Sequence, residues 1–233
     1  MTTPGWVCRT IRDVPEGNGW LGPREREALG ALVVPRRRET WRLGRWTLKA
    51  ALGAWLDSGG ADAEILAAAD GAPEAWAGGS RLDVEVSLSH RADIALAVVG
   101  DPGVALGCDV EVIEPRGGAF VREWLTPAEQ ARVVTGRSAG DAALYANLAW
   151  AGKEASAKVR REGLRLNVRA AEVACATGAR GSWHGLTVTW PDCGADHGWW
   201  RTDGGYVLTV AAAARIGAPL ALDSAATLSG HRR

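Results

Sequence analysis

The chain has 233 residues, with 27 basic and 27 acidic side chains, no net charge and 47% hydrophobic residues. That hydrophobic share excludes a disordered chain, and the neutral balance argues against general nucleic-acid affinity. The longest apolar stretches, 94–99 and 207–214, fall far short of the ~20 residues a membrane helix needs. The opening MTTPGWVCRT lacks a charged head followed by an apolar run, so a cytoplasmic protein without a secretory leader is expected. Cys8, Cys108, Cys175 and Cys193 are widely spaced and form no CxxC pair, which predicts reduced thiols rather than a disulfide framework or zinc knuckles.

Charge is unevenly distributed. Residues 1–60 carry 10 basic and 6 acidic side chains, residues 61–130 carry 4 and 13, and residues 131–233 carry 13 and 8. An acidic middle between basic ends suits a site that holds both a metal ion and a polyanion, and equally suits a scatter of surface charge.

In chain order, residues 24–32 and 36–56 read as helices. The second has Trp41, Leu48, Ala51 and Trp55 at helical spacing and Gly59-Gly60 beyond its end. Residues 71–80, with Pro73 and Gly78-Gly79, read as a loop. Val84, Val86 and Leu88 alternate with polar residues as in a half-buried strand. The run 94–99 predicts a buried strand, and Asp101-Pro102-Gly103 a turn. A further strand covers 104–111, with Val104, Leu106, Cys108 and Val110 on one face. Thr126-Pro127-Ala128-Glu129 carries a helix-start signature. A long helix over 141–161 follows, then strands at 186–190 and 206–211 joined by Gly/Asp-rich turns. Helices and strands without a regular βαβ alternation predict an α+β fold.

Four constellations carry possible chemistry. Asp109 and Glu111 are two apart on a strand and therefore face the same way, roughly 7 Å between Cα atoms. Oxygen ligands of that kind suit Mg²⁺. Glu154 and Lys158 are four apart and share a helix face, able to present a carboxylate and an ammonium together. Arg38, Arg42, Arg45 and Lys49 form a basic stripe beside Arg37. It reads as a phosphate cradle or as a solvated face. Ser87-Leu-Ser89-His90 ends a strand with groups that can donate to an anion.

The order and spacing of these pieces resemble the 4′-phosphopantetheinyl transferase superfamily, in its larger Sfp-like type that primes polyketide and nonribosomal peptide synthases. The resemblance rests on Gly107-Cys-Asp-Val-Glu111, on Trp150-Ala-Gly-Lys-Glu-Ala-Ser-Ala-Lys158 and on Gly163-Leu-Arg-Leu166. It is extended by Ser87 to His90, the Arg-rich segment from Arg37 to Lys49, and Phe120 to Glu129. It implies two similar α+β halves related by a pseudo-twofold axis, an N-terminal half over 1–103 and a C-terminal half over 104–233, with the active site in the cleft between them. It further implies a monomeric, Mg²⁺-dependent transferase (Mn²⁺ being an alternative) that moves 4′-phosphopantetheine from coenzyme A to a serine of an acyl- or peptidyl-carrier protein, releasing adenosine 3′,5′-bisphosphate. Nucleic acid and membrane are not expected partners. On this likeness Asp109, Glu111 and Glu154 would hold the metal. Arg37, Arg45 and His90, with Ser89 and Lys49 as weaker candidates, would hold the 3′-phosphate. Lys158 would neutralise pyrophosphate charge, and Glu154, a metal-bound water, or Glu111 through water would take the serine proton. Arg160, Arg161, Arg165 and Arg169 are expected to dock the acidic carrier. Two departures stand out. The Gly71-Ala72-Pro73 loop has no basic residue in or beside it, and Arg91 follows His90 where a small residue is common. The alternative function is a degenerate coenzyme A-binding or scaffold module.

Overall fold

A computed structural model describes residues 1–56, 62–162, 166–177 and 181–223. Gly59-Gly60, Gly163, Leu164 and Arg165 lie outside them. In the first part of the chain, β1 (Gly5–Thr10), α1 (Pro23–Gly30) and α2 (Pro35–Trp55) precede β2 (Glu64–Ala67), β3 (Pro73–Ala77) and β4 (Ser80–Arg81). Next come β5 (Glu85–Arg91), β6 (Ile94–Gly100) and β7 (Leu106–Val112), then α3 (Gly118–Trp124), α4 (Pro127–Val134) and α5 (Ala139–Arg160). The strands β8 (Glu172–Cys175), β9 (His184–Trp190), β10 (Gly194–Asp203), β11 (Tyr206–Ala212) and β12 (Leu220–Ala221) follow. The fold is mixed α+β, and no helix among the described residues is long and apolar enough to cross a membrane.

Two sheets dominate, one in the order β12-β1-β6-β5 and the other β7-β11-β10-β9-β8, with β2-β3-β4 forming a smaller third. The alternation of side chains explains their stacking. On β1 and β6, Trp6, Cys8, Leu96 and Val98 point into a core shared with Cys108, Val110, Leu208 and Val210 of β7 and β11. The reverse faces of β1 and β6, with Val7, Ala97 and Val99, meet Leu48, Ala51 and Leu52 of α2. The central strand β6 is thus buried on both sides, which is why it reads as an unbroken apolar run. β7 differs because only its Leu106, Cys108 and Val110 face enters the shared core, while α5 covers the other.

The structure corrects two expectations. Residues 71–80 are not a plain loop: β3 and β4 pair there across Gly78 and Gly79, both at positive φ (57° and 82°), the turn that the glycines supply. Residues 194–203 form the long strand β10 rather than turns. The far end of the chain returns to the first sheet, where Leu220 pairs with Gly5 in parallel and Arg9 forms an ion pair with Asp223.

One arrangement occurs twice, with its two tryptophans, its capping glutamate and its lysine numbered 104 higher in the second copy. Trp20-Leu-Gly-Pro-Arg-Glu25 leads into α1, and Trp124-Leu-Thr-Pro-Ala-Glu129 leads into α4. Trp46-Thr-Leu-Lys49 lies in α2 and Trp150-Ala-Gly-Lys153 in α5. Each Glu accepts from a backbone N–H at its own helix start, Gly22 at 2.9 Å or Thr126 at 2.8 Å. Its other oxygen accepts from a strand, Ile65 N–H at 3.0 Å or Val173 N–H at 2.8 Å. Each carboxylate also pairs with its buried lysine, Glu25 with Lys49 at 2.8 Å and Glu129 with Lys153 at 2.7 Å. The lysines in turn donate to the carbonyls of Ala63 and Trp124. The tryptophans meet edge-on, Trp20 with Trp46 and Trp124 with Trp150.

Candidate active site

The site begins where α5 crosses β7. A Cβ placed on Gly107 would sit 1.9 Å from the Ala155 carbonyl oxygen, so only glycine lets the helix backbone lie against the strand. That contact brings Asp109 of the strand and Lys158 of the helix together. Lys158 Nζ donates to the Cys108 carbonyl at 2.7 Å and to Asp109 Oδ1 at 3.0 Å. Ser89 Oγ donates to the same oxygen at 2.7 Å, and Ser87 Oγ accepts from Cys108 N–H at 2.9 Å, which stitches β5 alongside β7. Asp109 is only 6% exposed, more deeply set than an open-cleft carboxylate, and its Oδ2 is buried with no partner. Burial tends to discharge Lys158, but Asp109, Cys108 and Glu154 outweigh it and hold the ammonium above its ordinary range.

Glu154 is half-buried, and no hydrogen bond or ion pair to its carboxylate is formed by a described residue. Burial, followed by the charges of Asp109 and Glu111, pushes its proton affinity above that of an ordinary glutamate. Glu111 is raised by burial and by Asp109 as well, against the pull of Arg91 and Arg116. Its surroundings are otherwise the opposite of those of Glu154. Arg116 Nη2 donates to its Oε2 at 2.8 Å, Arg91 Nε lies 3.0 Å from the same oxygen, and Trp150 Nε1 donates to Oε1 at 3.2 Å. Among the described residues no three His, Cys, Asp or Glu side chains gather closely enough to hold a metal ion between them.

Two cavities adjoin here. The first, about 330 Å³, is lined by Glu154, Lys158 and Arg161 on one side and by Ser87, Val84 and Val86 on the other. The second, about 370 Å³, is lined by Arg37, Arg45, His90, Thr40 and Trp41. Gly71, Pro73 and Leu88 belong to both. Arg45 stacks on Trp41, 4.3 Å from the ring centre, and burial lowers its pKa to about 10. Its Nε is buried and unpartnered. Burial and the nearby Lys158 charge lower the proton affinity of His90.

The basic stripe, by contrast, is not a cationic face. Arg38 caps the carbonyls of Leu29 and Leu32 at 2.6 and 2.9 Å, and Arg42 holds those of Pro15 and Gly17, both at 2.6 Å. Lys49 is 4% exposed and spent on Glu25, so it does not join Arg37, Arg45 and His90 around their cavity. Ser89 is committed to Asp109. Arg160 and Arg161 are occupied too: Arg160 forms two 3.0 Å bonds with Asp196, and Arg161 holds Asp70 at 2.7 and 2.9 Å. Neither is therefore a free cation, each being ion-paired within the chain. The Asp70–Arg161 pair lowers the carboxyl of Asp70 to about 2 and sets a guanidinium from the end of α5 beside the Gly71-Ala72-Pro73 loop.

Residues 105–211, which run from β7 into β11 and include Asp109, Glu111, Glu154 and Lys158, match the family model for the 4′-phosphopantetheinyl transferase superfamily. No curated protein matches the chain.

Proposed function

We propose that the protein transfers 4′-phosphopantetheine from coenzyme A to a serine of an acyl- or peptidyl-carrier protein, as an Sfp-like transferase. Members of the matched superfamily act as transferases on coenzyme A and carrier proteins and typically use a divalent metal. One observation carries the reading for this chain. A cavity bearing Arg37, Arg45 and His90 adjoins one bearing Glu154 and Lys158, with Gly71, Pro73 and Leu88 lining both. An anion-binding end and a charge-neutralising end thereby suit one elongated substrate that carries a 3′-phosphate and a pyrophosphate.

In this reading Arg37, Arg45 and His90 hold the 3′-phosphate by charge-assisted hydrogen bonds. Lys158 faces the pyrophosphate. The carrier serine oxygen bonds to the phosphorus that bears pantetheine. The bond from that phosphorus to the bridging oxygen breaks, and adenosine 3′,5′-bisphosphate leaves with the electron pair. Glu154 takes the serine proton. The residues fit a hard divalent cation, because the buried Oδ2 of Asp109 lacks a partner and the Glu154 carboxylate is unbonded among the described residues. Bound there, Mg²⁺ would neutralise charge on the transferring phosphoryl group. The reading includes two similar halves, 1–103 and 104–233, related by a pseudo-twofold axis. The twofold occurrence of the Trp-Glu-Trp-Lys arrangement supports it.

The test is direct. The protein is incubated with coenzyme A, Mg²⁺ and an apo carrier protein, and the carrier is weighed by mass spectrometry. Gain of one phosphopantetheine is expected. An unchanged mass alongside demonstrable coenzyme A binding would favour a binding module instead.

A further inference from the structure

The three acidic side chains of the site are not equivalent, and what separates them is a pair of arginines. Asp109 keeps one buried oxygen without a partner, and Glu154 has no hydrogen bond or ion pair to a described residue. Glu111 is satisfied on both oxygens. Arg116 and Arg91 converge on Oε2, and the Trp150 indole occupies Oε1. Arg116 is itself held in place. Its Nε donates to Asn147 Oδ1 at 2.6 Å, and its guanidinium stacks 4.7 Å from the centre of Phe120. Asn147 is fully buried and donates on to the carbonyls of Glu114 and Ala143, both at 2.7 Å. Arg91 is braced by Glu114 at 3.1 Å. To ligate a cation, Glu111 would have to break contacts with two guanidinium groups and an indole, at a place where desolvated charges are costly to leave unpaired.

We propose that Arg91 and Arg116 hold Glu111 out of the metal's coordination, so that the cation is bound by Asp109 and Glu154 alone. Glu111 then acts as a positioning residue that fixes Trp150 on α5, four residues before Glu154. Two carboxylates with the remaining positions left to water and phosphate is a donor set that Mg²⁺ accepts. This inference rests on the metal-dependent reading above.

The experiment titrates Mn²⁺ into the protein with coenzyme A present, following the free ion by electron paramagnetic resonance against a protein-free control. D109N and E154Q should each weaken Mn²⁺ binding at least tenfold. E111Q should stay within about threefold of the wild type. R91A, at a half-buried arginine, should tighten binding two- to threefold by freeing Glu111. Loss in E111Q equal to that in D109N would overturn the proposal, as would R91A binding that is unchanged or weaker. Absence of Mn²⁺ binding by the wild type would instead remove the metal-dependent reading itself.

Discussion

The Glu25–Lys49 and Glu129–Lys153 pairs do the same structural work on opposite sides of the molecule. In each, a capping glutamate ties a short helix, a strand and a long helix together through one buried charge pair. They differ at the next turn. After Lys153 come Glu154 and Lys158; at the same offsets after Lys49 stand Ala50 and Ala54. The α2 copy therefore presents neither a carboxylate nor an ammonium at those positions, its cavity-lining Arg37 and Arg45 lying earlier on the helix, and the α5 copy presents both on the same frame. A buried Lys–Glu pair so close to the site is scaffold, and the candidate reactive groups are added on top of it.

The sharpest break between the copies should be in turnover. D109N or E154Q should reduce phosphopantetheine transfer by about a thousandfold or more, since each removes charge from a site that works by positioning and neutralisation. Circular dichroism should show the fold intact. K49M and K153M should instead look alike, each losing about 3–5 kcal/mol in urea unfolding because an unpaired carboxylate is left buried. A mild effect in only one of them would break the equivalence of the two copies. R45A tests the anion-binding end. Loss of a charged hydrogen-bond donor should cost about 1.5–3 kcal/mol in coenzyme A binding, and the preference over 3′-dephospho-coenzyme A should shrink with it in competition assays.

The smallest effect concerns pH. Glu154 is harder to ionise in the folded protein, chiefly through burial, so its charge opposes folding. That penalty is absent below the ordinary carboxylate pKa and grows as pH rises through the elevated one. Without divalent ions, E154Q should melt above the wild type at pH 7 to 8, and the difference should vanish near pH 4. Ala50 carries no such cost on α2.

Much of this frame is legible in the residues. The helix starting at Pro127, the double-sided β6 and the Asp109–Glu111 alternation follow from capping and periodicity alone. The Trp-Leu-x-Pro-x-Glu repeat and the lysines 24 residues after each glutamate are also visible without coordinates. Other features are not. Spacing places Arg38, Arg42 and Lys49 on one helix face but cannot say that loop carbonyls and a buried glutamate wait there. Arg116 sits in an acidic stretch with no local pattern, and only the fold brings it to Glu111. β10 hides behind glycines and aspartates that usually mark turns, because its neighbours on both edges supply the hydrogen bonds that local propensity does not.

The crossing of α5 over Gly107 has a thermal consequence. The separation between Asp109 on the strand and Glu154 on the helix is gauged by a peptide carbonyl resting against a Cα, atoms with no rotamers to populate. Side chains that set distances by interdigitation gain freedom on warming; a backbone stop has none to gain. The spacing of the two carboxylates should therefore stay constant with temperature until the helix and strand part company, and activity should end in a cliff at unfolding rather than a gradual decline.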